Sequence, residues 1–252
     1  MGRNYFMGSF SEGLTSVIAE STAFADGSWQ YYTVYTLLVI FTAISSYLLG
    51  GANTAIIVSK ALYKEDIRSH GSGNAGLTNM LRTYGKGAAG LTLLGDMLKT
   101  AISVLIAGLL FGFCYQDGIS LSPMCYIAGL TAVLGHVFPI FYDFKGGKGV
   151  LVTATMALIL APLHFGALIT LFIIIVAITG YVSLGSIVVA ALFPITICLY
   201  ISLVLGAPLS LILAIATFFL GGFVIWCHRS NIKRLVSGTE KKISIGKKDK
   251  KD

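Results

Sequence analysis

The chain has 252 residues, 56% hydrophobic and only 12% charged, with a formal net charge of +7 and a mean hydropathy of +0.83. A soluble globular domain carries about twice that share of charge, so the sequence describes an integral membrane protein. Its apolar runs lack the period-2 alternation of a membrane barrel, which leaves an all-α integral membrane protein, and its surplus of cations points to anionic membrane lipids and not to nucleic acid.

Residues 1–30 form a polar leader in which Arg3 stands against Glu12, Glu20 and Asp26. It lacks the basic start and apolar core of a cleaved signal peptide. Leu14, Val17 and Ile18 could make a short amphipathic turn there, but a mobile leader outside the membrane is the simpler expectation. The apolar runs that follow fall at residues 32–60, 87–113, 124–142, 150–161, 163–180, 184–205 and 208–228.

The stretch from Gly149 to Gly180 is apolar for 32 residues, about 48 Å as one helix at about 1.5 Å per residue. Pro162 and His164 offer a break in its middle. Charge decides how often it crosses, because lysines and arginines of short loops stay in the cytoplasm. Lys60, Lys64, Arg68, Arg82 and Lys86 lie in one loop, Lys145 and Lys148 in another, and nine cations from Arg229 to Lys251 in the tail. Asp117 sits between Phe113 and Pro123 with no cation beside it. If the long stretch crosses twice, all three basic segments share one side. The expectation is therefore seven transmembrane helices, with the N-terminus outside and the C-terminus cytoplasmic. Residues 31–230 form one membrane domain without internal repeats, and residues 231–252 form a basic tail whose start joins the active site. Cys114, Cys125, Cys198 and Cys227 make no CxxC pair, and no metal or cofactor is expected.

Polar residues gather where the chain leaves the membrane on the basic side. The first cluster is HGSGNAGLTNMLRTYGKG, residues 70–87, in which Gly71, Gly73 and Gly76 make a GxGxxG pattern. The parallel sheet of a dinucleotide fold is missing, and so is a GxxxxGK[ST] phosphate loop. The glycines can still turn backbone amides toward an anion while Ser72, Asn74, Thr78 and Asn79 add short polar arms and Arg82 supplies a bidentate fork; a soluble, flexible loop is the plainer alternative.

Between the clusters, Asp96 and Lys99 stand three residues apart inside an expected span. They are either an intrahelical ion pair or a substrate contact. The second cluster, GHVFPIFYDFKGGKGV at residues 135–150, combines Lys145 and Lys148 with Gly146, Gly147 and Gly149 just before a helix start. Exposed amides, two point charges and a helix N-terminus make it a second candidate anion site. Positive-inside retention accounts for the lysines but not for the glycines. His136 is either a satisfied core histidine or a group in the same polar mouth. The third cluster, HRSNIKRLVSGTE at residues 228–240, contains His228, Asn231 and Glu240, which attraction to anionic lipid does not explain.

GSGNAGLTNMLR, GDMLK, GHVFPIFYDFKGGKGV and HRSNIKRLVSGTE, in this order between apolar spans, resemble the bacterial acyl-phosphate:glycerol-3-phosphate acyltransferases over roughly residues 31–245. The resemblance implies seven spans in the bacterial inner membrane with cytoplasmic motifs. It also implies transfer of a fatty acyl group from acyl phosphate to the 1-hydroxyl of glycerol 3-phosphate, with lysophosphatidic acid and phosphate as products, as the first step of phospholipid biosynthesis. It assigns Ser72, Arg82, His136 and Lys148 to catalysis. It assigns Gly71, Gly73, Asn74, Thr78, Asn79, Asp96, Lys99, Lys145, Gly146, Gly147, His228, Asn231 and Glu240 to substrate binding. Leu77, Leu151 and Val152 depart from the smaller residues of the family pattern, which bears on packing more than on chemistry. No Ser/His/Asp set is evident, in keeping with direct attack assisted by the substrate's own phosphate. A transporter or flippase for a phosphorylated solute is the alternative; it would need polar residues along several spans, and apart from Asp96 and Lys99 few are found. A noncatalytic scaffold would leave the glycine clusters without a purpose.

Overall fold

The computed structural model describes residues 13–19 and 28–243. Arg3, Glu12, Glu20 and Asp26 of the leader, the side chains of Val17 and Ile18, and Lys247, Lys248, Lys250 and Lys251 of the tail lie outside the described residues. The order is helix α1 (Leu14–Ala19), α2 (Trp29–Gly51), α3 (Thr54–Tyr63), α4 (Leu77–Tyr84) and α5 (Lys86–Phe111). A two-stranded hairpin follows, β1 (Tyr115–Gln116) against β2 (Ile119–Ser120). Then come α6 (Pro123–Val137), α7 (Val150–Leu160), α8 (Pro162–Thr179), α9 (Val182–Leu199) with a π turn to Val204, α10 (Leu211–Cys227) and α11 (Arg229–Val236).

Among the described residues, five stretches are long and apolar enough to cross a membrane: Trp29–Tyr63, Lys86–Phe111, Pro123–Tyr142, Pro162–Thr179 and Val182–Val204. A sixth arises if α10 and α11, bent by 55°, are taken as one. The expected break near Pro162 falls there: α7 ends at Leu160 and proline opens α8. The first half of that pair is shorter than a full crossing, since the 11 residues of α7 reach only about 16 Å against a core of about 30 Å.

The first expected span, 32–60, is not one helix. Leu48 and Leu49 carbonyls accept from the Ala52 N–H that ends α2, and the Asn53 side chain accepts from Ile56 N–H to start α3. An apolar run continues across this junction, so hydropathy does not reveal it; the asparagine cap does. At the other end, a leader helix does form at Leu14–Ala19, and Gly13 lies against the Phe111–Gly112 backbone that closes α5.

Association of helices in lipid relies on close backbone approach at small residues. The pairing of α2 with α6 follows this rule. A Cβ at Gly50 would overlap Ala132, and one at Gly135 would overlap the Tyr47 carbonyl. The Tyr47 hydroxyl then donates to the Phe138 carbonyl at 2.8 Å. Helix α6 is the centre of the core, in which Tyr126, Met156, Ile197, Leu213 and Leu220 are fully buried. Helix α8 is the outermost and has no buried residue.

Gly135→Ala should lower stability by about 1–3 kcal/mol through forced separation of α2 and α6. Gly87→Ala, where a Cβ meets nothing within 4 Å, should leave the melting temperature unchanged or raised. Thermal unfolding of the two purified variants in detergent checks the contrast, and equal melting temperatures would contradict it.

Candidate active site

The loop before α4 is organised by one amide. Asn79 is 2% exposed, and its Oδ1 accepts from Ser72 N–H at 3.0 Å. Its Nδ2 donates to the carbonyls of His70 at 3.0 Å, Asn74 at 3.1 Å and Ile67 at 3.3 Å. Asn79 therefore ties the GSGN turn to the body while bordering the larger cavity, a structural role that its expected assignment to substrate binding did not include. Gly71 has φ +60°, and a Cβ there would meet the Asn79 amide. Ser72, Asn74 and Thr78 remain on the open side. The Arg82 guanidinium is exposed to the cavity.

The second loop corrects a further expectation. The Gly146 and Gly147 amides do not point at an anion: Gly146 N–H donates to the Val137 carbonyl at 3.0 Å and Gly147 N–H to the His136 carbonyl at 3.1 Å. These positions lack side chains for steric reasons, because a Cβ on Gly147 would strike the His136 ring and the Ala75 carbonyl. The contact to Ala75 presses the second loop onto the first. Backbone donors without a side-chain partner lie instead in the first turns of α4 and α7, which begin at Gly76 and Gly149 without a side-chain cap.

Behind both loops lies a buried ionic group. The Lys99 ammonium is 2.8 Å from the Asp96 carboxylate and donates to the carbonyls of Gly50 at 2.9 Å and Ala52 at 3.2 Å. It also lies 3.0 Å from His136 Nδ1. Three ammonium protons are matched by four partners, so of the two readings of Lys99 the intrachain one is the one realised. Asp96 and His136 are more buried than Lys99, at 1% and 3% exposure against 6%, yet both border the larger cavity.

The third cluster closes the polar mouth. Lys148 donates to Asn231 Oδ1, and Asn231 Nδ2 donates to Glu240 at 2.6 Å. Glu240 also accepts from Ser183 at 2.7 Å and from Arg234 Nε at 2.7 Å. Burial alone would push its carboxyl pKa up, but these three donors hold it below the usual carboxylate range. Glu240 thus fastens the tail through three donors and also borders the larger cavity. His228 caps the end of α10, its Nδ1 2.7 Å from the Val224 carbonyl. Burial, reinforced by the nearby Arg234, lowers the Lys148 pKa to about 8.

Two adjoining cavities result. The smaller, about 320 Å³, is bordered by Ser72, Gly73, Asn74, Gly146, Gly147 and the cations Lys145, Lys148, Arg229 and Arg234. The larger, about 730 Å³, has Gly71, Ser72, Thr78, Arg82, His136, Lys148, His228 and Asn231 at its polar end. It continues between apolar side chains of α5, α7, α8 and α9, among them Leu93, Met97, Leu158, Phe165, Phe172 and Phe193. Ser72, Asn74, Lys148 and Arg234 border both. All three sequence clusters therefore meet at one place. Arg234, Arg229 and Ser183 were missed as site residues: the arginines read as ordinary positive-inside charge, and nothing in the sequence marks Ser183 as the partner of Glu240.

A polar, cation-rich pocket continuous with an apolar groove among long apolar helices marks a membrane protein with room for an anionic head beside a hydrocarbon chain. The glycerol-3-phosphate acyltransferase family profile matches residues 40–238. Relatives named glycerol-3-phosphate acyltransferase, from Trichlorobacter lovleyi and Clostridioides difficile, are each 42% identical and align with 81% of this chain and 96% and 95% of their own length. Crystal structures of PlsY, an integral membrane glycerol 3-phosphate acyltransferase, superpose with TM-scores of 0.69 for its glycerol 3-phosphate form and 0.67 for its lysophosphatidic acid form. Their sequence identities are 33% and 32%, each alignment covers 82% of this chain, and 96% and 95% of those chains are matched. The chain belongs to the glycerol-3-phosphate acyltransferase family and is a multi-pass membrane acyltransferase.

With its pKa lowered to about 8 by burial, the half-buried Lys148 carries its full charge, and its attraction for an anion, only below that pH. Apparent kcat/KM for acyl transfer should fall by up to about tenfold per unit above it, and Lys148→Arg should move that limb upward by more than one unit. A pH profile of both proteins checks this; a limb in the same position in both would contradict it.

Proposed function

We propose that the protein transfers a fatty acyl group from acyl phosphate to the 1-hydroxyl of glycerol 3-phosphate, giving lysophosphatidic acid and phosphate in the first step of phospholipid biosynthesis. Family membership supports the acceptor, and the named forms of the PlsY neighbours agree with it. The observation that carries the donor half is the junction of the two cavities at Ser72, Asn74, Lys148 and Arg234. A compact cationic chamber beside an apolar groove suits a molecule with a phosphate head and a hydrocarbon tail next to a second, water-soluble phosphate.

In the reaction the glycerol O1 attacks the acyl carbonyl carbon, the carbon–oxygen bond to phosphate breaks, and the hydroxyl proton passes to the departing phosphate. Two phosphates at close range repel, so the first task of the site is to neutralise them. Arg82, Lys145, Lys148, Arg229 and Arg234 supply that charge, with the starts of α4 and α7 adding partial positive charge. Ser72, Asn74 and Thr78 orient the heads by hydrogen bonds, and binding both substrates side by side removes most of the entropic barrier. Gly71, Gly73, Gly146 and Gly147 let the loops approach. Asn231 holds Lys148 in register, His228 lines the polar end of the larger cavity beside it, and His136 is the reserve proton acceptor. Asp96, Lys99, Asn79 and Glu240 hold the frame. The basic loops and tail argue for a cytoplasmic site in the bacterial inner membrane, seven crossings, an outer leader of residues 1–30 and a tail of residues 231–252 that rests on anionic lipids.

Purified protein given palmitoyl phosphate and glycerol 3-phosphate should yield lysophosphatidic acid and inorganic phosphate in equal amounts. Turnover with palmitoyl-CoA but none with palmitoyl phosphate would overturn the donor assignment. Arg82→Lys should lose at least about 90% of kcat/KM, since a point charge cannot replace the fork; near-normal turnover of both Arg82→Lys and Lys148→Ala would sink the paired-phosphate arrangement.

A further inference from the structure

The 139–147 turn that carries Lys145 contains two consecutive residues, Asp143 and Phe144, in the left-handed conformation, both with φ +56°. Neither is glycine, and a bulky residue such as phenylalanine is sterically disfavoured there. The Phe144 ring is 54% exposed, so burial of its side chain does not compensate. Backbone bonds close the turn, with the Tyr142 and Phe144 N–H groups each donating to the Pro139 carbonyl at 3.0 Å and the Lys145 N–H to the Tyr142 carbonyl at 3.1 Å, and one side chain braces it from outside. The carbonyls on either side of this pair, Tyr142 and Lys145, both accept from one nitrogen, Arg68 Nη1, at 2.8 and 3.2 Å. The guanidinium is itself fixed in its plane by Asp66, with Nε to Oδ1 at 3.0 Å and Nη2 to Oδ2 at 2.8 Å. Asp66 is further anchored by Lys60 at 3.4 Å and by the Arg68 N–H at 3.0 Å. Hydrogen bonding from Arg68 pulls the Asp66 carboxyl pKa down to about 2, so the clamp stays charged at any working pH.

We propose that Arg68, oriented by Asp66, is a positioning residue for acyl transfer: it bridges the two carbonyls that bracket Asp143–Phe144 and so keeps Lys145 and the following Lys148 turned toward the phosphate chamber. Arg68 borders neither cavity, so it acts only through the turn. The two loops belong to distant parts of the chain, and the clamp sets their spacing as well as the shape of the second. The inference rests on the acyl-transfer reading above.

The test uses full-length protein in lipid nanodiscs, as wild type, Arg68→Lys, Asp66→Asn, Phe144→Gly and the two clamp variants each combined with Phe144→Gly. Arg68→Lys should raise KM for glycerol 3-phosphate or for palmitoyl phosphate about tenfold, with kcat within about twofold. Asp66→Asn should give a smaller rise in the same KM. Phe144→Gly relieves the left-handed cost, so it should recover most of the lost affinity in both backgrounds. Unchanged KM values in the clamp variants, a loss confined to kcat, or a rise that Phe144→Gly leaves untouched each overturns the proposal. If Arg68→Lys does not fold, Asp66→Asn decides by the same criteria. Wild type that transfers no acyl group would defeat the acyl-transfer reading separately. Trypsin cleavage after Lys145 then decides the clamp: faster cleavage in the clamp variants supports it, and equal rates refute it.

Discussion

A helix that breaks inside a membrane protein leaves carbonyls in search of donors, and in lipid each one left unpaired is costly. Here the break follows Gly51, and the Lys99 ammonium answers it by donating to the Gly50 and Ala52 carbonyls. Such a charge is tolerable among spanning helices only when neutralised, which Asp96 does from one turn away at 2.8 Å. The same ammonium lies against His136 Nδ1, and the His136 carbonyl receives the amide of Gly147. The position of the second loop therefore traces back to the break in α2. Asn53, at the same break, donates to the Ala75 carbonyl at 3.3 Å, so the first loop is fixed from there as well.

This hierarchy changes what the glycines mean. A GxGxxG or KGGK pattern suggests amides converging on phosphate, yet the amides of Ser72, Gly73, Gly146 and Gly147 are engaged within the protein. Omitting side chains allows the two loops and α6 to touch, and the charge of a ligand is met mainly by longer side chains around them. Those cations differ in kind. Lys145 is exposed, whereas Lys148 is partly buried and bonded to Asn231. An exposed lysine attracts anions from a distance through screened charge; a partly buried one, with fewer waters to displace and a depressed pKa, interacts more strongly at contact.

The sequence made the membrane class, the three clusters and the break near Pro162 legible, because apolar length, glycine-backed cations and proline are local signals. It concealed what depends on distant partners. Asp96 and Lys99 looked equally like a pair or a substrate site until the carbonyls of α2 came into view. Glu240 and Asn79 carried no mark of being saturated by neighbours. Arg68 and Arg234 were masked by the rule that accounts for basic inner loops in general, which explains a charge without saying what it touches. The hairpin at Tyr115–Ser120 was signalled by Asp117–Gly118, both at positive φ, a pairing that favours tight two-residue turns; the short strands lay below the length at which alternation can be read.

The apolar groove has an unusual outer wall. Helix α8 has no buried residue, yet its Phe165, Leu168, Ile169 and Phe172 border the larger cavity. One thin helix thus separates the groove from lipid. At the polar end, the returning tail closes the gap beside it: Ile243 N–H donates to the Gly180 carbonyl at 2.8 Å, and Lys242 lies over the Tyr181 ring at 5.4 Å. Glu240 ties that strap to Ser183 of α9 and to Asn231 and Arg234 of α11. The wall is therefore held firmly at the aqueous end, by the edge-on contact of His164 with the Tyr200 ring near its other end, and mainly by apolar side chains between. Helices packed through side chains alone can part more readily than hydrogen-bonded loops, so an apolar tail meets less resistance entering between α8 and its neighbours than a charged head would meet in the same direction. Under the proposed acyl transfer, this arrangement would sort the ligands by phase, with hydrocarbon entering from the bilayer side and phosphate from the water side.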